Sequence, residues 1–369
     1  MIQAHCYDSW LNPEARRTLL YRWSQELSTL AAPIFLFLCG VSFALVTEGL
    51  RLKNKPRTQI FKTALLRGGE ILGLGFLLRV QEFVLGYPKS PWTDLLKVDV
   101  LNILGVSIIF MALFWRLMSV DGSLVVASLS PGTGDTVEKW RNRLIGLSLL
   151  IAAVAAVATP PLWTTHRLSF LPWMLESYIN GVHNFGSPTP WIFSIFPWCG
   201  FAFVGLAFGL FLFSDFAQHK EVAALGIVGA LGALACALSR WWDYSGIRIY
   251  SVYDYWHSSP NFFLMRCGIL LLLTLAIFAW CRWGWVTEGF SPFIQFGKTS
   301  LLVYWVHIEF VYGRLSILPK SRSTIALATA GMVVILAAMM GLSIWRTHVK
   351  KRAKVHLQAT ATQSLSEAM

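Results

Sequence analysis

The sequence predicts an all-α membrane protein, a polytopic transmembrane helix bundle of about ten spans with the first one cut short. Three observations predict it. Apolar residues make up 55% of the chain and charged residues only 14%, where a soluble domain carries about a quarter charged. Apolar runs of about 20 residues recur along the sequence, each long enough to cross a bilayer core as a helix. Short segments of alternating polarity, the mark of a membrane barrel, do not occur.

The elements follow in chain order. The opening MIQAHCYDSW, residues 1–10, holds His5, Asp8 and Trp10 with no basic stretch or long apolar run before them, so it is not a signal peptide. Nine spans come next, at about 29–48, 67–86, 98–118, 144–163, 191–213, 221–240, 261–281, 293–313 and 323–345. They make one transmembrane domain, residues 1–345. Residues 346–369 begin with the basic RTHVKKRAK and end in ATATQSLSEAM, which is expected to be a disordered cytoplasmic tail. The six cysteines lie in or beside apolar spans without metal spacing and read as small packing residues.

Charge sets the orientation. The formal net charge is +12, with the basic residues clustered between spans. That pattern fits lipid headgroups and topology rather than nucleic acid, which is excluded as a partner. With residues 49–66 cytoplasmic, eighteen of the 31 Lys and Arg fall on that side and eleven on the other, Arg79 and Arg266 lying inside spans. Residues 11–28 are then outside, and residues 1–10 rise from the cytoplasm. A ten-residue helix covers only about 15 Å, half a bilayer core. MIQAHCYDSW therefore reads as the outer half of a first helix whose true start lies upstream; a short interfacial helix is the alternative.

Ionisable groups at membrane depth are costly and point to function. In this orientation six segments place theirs at one outer level: His5 and Asp8; Arg79 and Glu82; Asp99 and Asn102; Asp254 and His257; Arg266; His307 and Glu309. A shared polar cavity opening outward explains the convergence. Each group also has a plainer reading. Arg79 and Glu82, three residues apart, can pair with each other. Asp99 and Asn102 can cap or bridge helices. His257 can be an ordinary interfacial histidine, and His307 a helix-to-helix hydrogen bond. No helical HxxxH or HExxH pair occurs, so no metal site is expected, and no GxSxG, P-loop or GxGxxG is present. A histidine with an orienting carboxylate suits general-base activation of an amine or hydroxyl. The same groups suit a transporter's proton relay.

Longer segments carry a resemblance. APIFLFLCGVSFAL at 32–45, LLRGGEILGLGFLLR at 65–79, LLKVDVLNILGVSIIF at 95–110, FPWCGFAFVGLAFG at 196–209 and YWVHIEFVYG at 304–313 resemble the catalytic region of heparan-α-glucosaminide N-acetyltransferase and its bacterial relatives. The resemblance runs from about residue 1 to 316. It implies a ten- or eleven-helix transmembrane acyltransferase fold, with acetyl-CoA or another acyl-CoA as the cytoplasmic donor substrate and no bound cofactor. The acceptor is then a small molecule or glycan, on a sugar amine or hydroxyl at the outer face. The family's catalytic histidine matches His5. The family's opening Asp-x-x-Arg-Gly segment is missing here, and neither the heparan substrate nor the lysosomal setting carries over.

The expected catalytic set is His5 as base, oriented by Asp8 or Asp254. His257 and His307 are expected to hold the acceptor or the developing oxyanion, with Arg79, Asp99, Asn102, Arg266 and Glu309 completing substrate contacts. The expected setting is a bacterial inner membrane, and pairing of two copies is left open. A proton-coupled small-molecule transporter is the alternative.

Overall fold

The computed structural model describes residues 1–118, 134–181, 193–256, 258–284 and 289–367. These residues are all-helical, with no strand among them beyond an isolated bridge between Leu11 and Ser323. In chain order the helices are α1 (Ile2–Trp10), α2 (Leu19–Ser28), α3 (Ala31–Leu52), α4 (Arg57–Gly86), α5 (Val100–Met118), α6 (Gly134–Trp163) and α7 (Trp173–Asn180). There follow α8 (Ile195–Phe211), α9 (Asp215–His219), α10 (Glu221–Ser245), α11 (Pro260–Trp283), α12 (Pro292–Lys298), α13 (Ser300–Val311) and α14 (Ile325–Glu367).

Six stretches are helical, long and apolar enough to cross a membrane: Leu19–Leu52, Trp92–Met118, Val137–Trp163, Glu221–Ser245, Pro260–Trp283 and Ile325–Arg352. The other expected spans also fall on helices, each with a physical reason for standing apart. The helix α4 is 30 residues long but carries Arg57, Lys62, Arg67, Glu70, Arg79 and Glu82 spread along it. Only 17 residues make up α8. The expected span 293–313 is broken at Thr299, whose φ of −129° and ψ of 20° separate α12 from α13. Across the expected tail, α14 continues to Glu367, in keeping with the good helix formers Lys, Ala, Gln and Leu in that stretch.

Helix starts follow local chemistry. Ser259 and Ser291 cap α11 and α12 with their hydroxyls, each followed by a proline at the first helical position. Thr18 caps α2, whose Leu19, Leu20, Trp23 and Leu27 stand exposed on one face. That spacing makes α2 amphipathic.

The chain forms two compact units. The larger comprises residues 30–80 and 92–286. Its centre is the packing of α3 on α8, where Gly40 meets the backbone of Ala202 and Leu206, and Gly205 meets the backbone carbonyl of Phe37. A Cβ at either glycine would collide with main chain, so only glycine lets the two backbones come this close. Phe201, Phe203, Leu206 and Leu210 of α8 are buried around that contact.

The smaller unit comprises residues 1–29, 81–91 and 287–369. Its apolar core holds Cys6, Tyr7 and Trp10 of α1, Val303 and Val311 of α13, and Ala328, Ile335 and Met339 of α14. Polar ties fix α1 in place: Ser9 Oγ donates to the Val311 carbonyl (2.8 Å) and Trp10 Nε1 to Ser316 Oγ (2.9 Å). Beyond the helix, the Ser321 and Ser323 amides donate to the carbonyls of Ser9 and Trp10. The opening ten residues are thus a core helix of this unit, with Trp10 fully buried. A buried polar cluster steadies the α12–α13 break. Gln295 Nε2 donates to Ser343 Oγ (2.9 Å) and Thr347 Oγ1 (2.8 Å), and Ser343 Oγ lies 2.5 Å from Thr299 Oγ1.

Candidate functional site

The candidate site is built on α1 and α13 of the smaller unit. Tight docking of α1 through Ser9 and Trp10 brings His5 against His307, 302 residues away in sequence: His5 Nδ1 lies 2.9 Å from His307 Nε2. The rings are nearly parallel, at 9°, with centroids 5.1 Å apart. Tyr304 and Tyr312 set their rings edge-on to His5, at 6.2 and 5.5 Å. The catalytic candidate sits in an aromatic box closed by a second histidine.

The network assigns the protons. His307 Nδ1 lies 2.7 Å from the Val303 carbonyl, which can only accept, so this nitrogen carries a hydrogen. In neutral His307 the other nitrogen, Nε2, is then a bare acceptor. His5 must donate to it from Nδ1, which leaves the lone pair of neutral His5 on Nε2. His5 Nε2 makes no hydrogen bond among the described residues. The series Val303 carbonyl, His307, His5 thus fixes one tautomer and leaves one basic nitrogen open.

Two expected roles change. Asp8 does not orient His5 by a hydrogen bond: its Oδ2 accepts from Tyr312 Oη (2.7 Å), and its carbonyl accepts from Arg16. The orienting partner is His307. Nor is His307 free to hold an acceptor or an oxyanion, because both of its ring nitrogens are engaged within the unit.

Glu309, two residues beyond His307, makes its contact with Gln81 near the end of α4. Its Oε1 accepts from Gln81 Nε2 (2.8 Å), and Gln81 Oε1 accepts from Trp305 Nε1 (2.7 Å). The residue is only 6% exposed, and its Oε2 is buried without a hydrogen-bond partner. Gln81 and Trp305 escaped the sequence reading. Gln81 stands between the two charges that drew notice there, Arg79 and Glu82, and its amide is polar at the same depth.

The larger unit holds the other expected residues. Arg79 of α4 pairs with Asp99 at 2.7 Å, and Asp99 is almost fully buried. Asn102 Oδ1 accepts from the Asp99 amide (3.0 Å), three residues apart at the start of α5 as in a capping box. Asp254 Oδ1 accepts from the Trp256 amide (3.1 Å), and its carbonyl accepts from Ser258 and Ser259, shaping the turn before α11. Arg266 is buried, with its guanidinium 4.7 Å from the centre of the Phe262 ring. His257 lies outside the described residues. Among the described residues, no group of three or more His, Cys, Asp or Glu converges as a metal would require.

The chemistry this arrangement can perform is proton abstraction. His5 Nε2 is the acceptor of the proton, and the imidazolium that forms is stabilised through His307 by the Val303 carbonyl. No protein-family model matches the chain, and a search of the curated proteins returned no match.

Proposed function

We propose that this protein is a multi-pass membrane acyltransferase of about ten spans. It moves an acetyl or other acyl group from cytoplasmic acyl-CoA to a sugar amine or hydroxyl at the outer face, in a bacterial inner membrane with the C-terminal end cytoplasmic. One observation carries the reading: His5 is held in a single tautomer by His307 and keeps Nε2 open. The ordered segments that resemble transmembrane acetyltransferases support the donor, and they align the family's catalytic histidine with His5.

In this reading His5 Nε2 takes the proton of the acceptor N–H or O–H as that atom attacks the thioester carbonyl carbon. The tetrahedral intermediate collapses by breaking the carbon–sulfur bond, and the departing thiolate takes the proton back from His5. Positioned general-base catalysis of this kind contributes about 10²–10⁴-fold. His307 acts through His5 and is a positioning residue.

The test begins with unfolding of the detergent-purified protein with and without acetyl-CoA. Ligand at 100 times its Kd stabilises by about 2.7 kcal/mol, visible as a raised midpoint. The reading expects that rise in the wild type and in His5→Ala, together with His5-dependent release of CoA thiol when glucosamine-type acceptors are added. No rise in either protein would sink it.

A second reading is favoured by the break between α12 and α13 at Thr299. Discontinuous helices build midplane binding sites in secondary transporters. Substrate uptake driven by a proton gradient, with no thiol released from acetyl-CoA, would favour a proton-coupled transporter.

A further inference from the structure

Glu309 has no part in the chemistry above, and its surroundings are unbalanced. Indole N–H groups only donate, so Trp305 fixes the Gln81 side chain with its oxygen toward the indole and its NH₂ toward Glu309. One carboxylate oxygen is therefore matched by a neutral donor. The other, Oε2, is buried with no partner. It lies beside Gly313, where a Cβ would collide with it, so the absence of a side chain there lets the carboxylate take this position.

No compensating cation reaches it among the described residues. On its own helix His307 is engaged by Val303 and His5. Just past α13, Arg314 donates to the Tyr87 carbonyl, and Lys89 in the facing segment is exposed. Glu82, next to Gln81, has the same charge sign as Glu309. A buried carboxylate with one amide donor and no counter-charge is costly, and buried charges are ordinarily paired.

We propose that Glu309, with Gln81 and Trp305 holding it, is a binding site for a primary ammonium group, whose N–H donors and charge would complete Oε2. The ammonium is carried either by a small amine or by the headgroup of an aminophospholipid. The site is distinct from the His5 base, and the proposal does not depend on the acyl-transfer reading.

The experiment uses the full chain and no acetyl-CoA. The unfolding midpoint is followed in detergent against ethanolamine hydrochloride, with choline chloride as a control of equal charge that lacks N–H donors. It is then compared in nanodiscs of phosphatidylcholine with and without phosphatidylethanolamine. The proposal expects a saturable rise with an ammonium source but not with choline in the wild type, and a flat response in Glu309→Gln, which keeps the shape and removes the charge. A rise with free ethanolamine assigns a small amine; a rise confined to phosphatidylethanolamine assigns the lipid. Gln81→Leu, which leaves the acid but loosens its hold, should need higher concentrations for the same rise. Equal rises in wild type and Glu309→Gln would overturn the proposal. So would a flat response in both, the result for an acid that carries its own proton or is satisfied by water.

Discussion

The Arg79–Asp99 pair of the larger unit and the His5 and Glu309 sites of the smaller are partnered differently. In the larger, Arg79 pairs with Asp99 at the α4–α5 contact and the Asp99 amide donates to Asn102 Oδ1, while Asn102 Nδ2 is buried without a hydrogen-bond partner. In the smaller, two groups on α1 and α13 keep a valence open, His5 at Nε2 and Glu309 at Oε2. Paired groups hold helices together. Open ones can bind or react. The proposed acyl transfer and amine binding both rest on groups of the second kind, so the comparison can be tested residue by residue.

The sharpest way to break this contrast is His5→Ala. It should lower acyl transfer by about 10²–10⁴-fold with a loss of stability of only about 1–3 kcal/mol, the cost of leaving buried His307 Nε2 without its donor. A drop in stability large enough to explain the lost activity would mean that the histidine pair is structural. Next comes Arg79→Ala, which strands buried Asp99 without its cation and should cost about 3–5 kcal/mol in denaturant unfolding. Replacing both, as Arg79→Met with Asp99→Asn, should cost less than Arg79→Ala alone, because no charge is then left unpaired. A double variant worse than the single would show that the pair does more than compensate itself. The smallest effect is expected from Ser343→Ala beneath the α12–α13 break. Hydrogen bonds between membrane helices average about 0.6 kcal/mol, so a shift of that order is the expected outcome, read by the same unfolding measurement.

Much of the fold was legible because apolar run length speaks directly of helices: six of the nine expected spans lie on stretches long and apolar enough to cross a membrane, the other three on α4, α8 and the broken pair α12–α13. What was missed has identifiable causes. The stretch at 11–28 reads as a charged connection until Leu19, Leu20, Trp23 and Leu27 are placed on a helical wheel, where they form one apolar face. The break at Thr299 falls inside an expected span with no proline at that point, although Gly297, Lys298, Thr299 and Ser300 interrupt its apolar run there. At the site, His5, His307 and Glu309 were legible as polar residues in apolar company. Their partners were not, since nothing local in a single sequence reports a contact spanning 302 residues. The local rule that pairs residues three apart suggested Arg79 with Glu82; packing between helices supplied Asp99 as a partner of Arg79 and His307 as the partner of His5.

The central claim is that His5 presents a bare Nε2 because His307 holds its other nitrogen. The most direct measurement is nitrogen NMR of ¹⁵N-histidine-labelled protein, with the His5 ring signals assigned by their loss in His5→Ala. The account predicts a neutral ring protonated at Nδ1 and unprotonated at Nε2, reverting to a tautomer mixture in His307→Ala. A His5 ring protonated at Nε2 in the wild type, or one indifferent to the loss of His307, would contradict it.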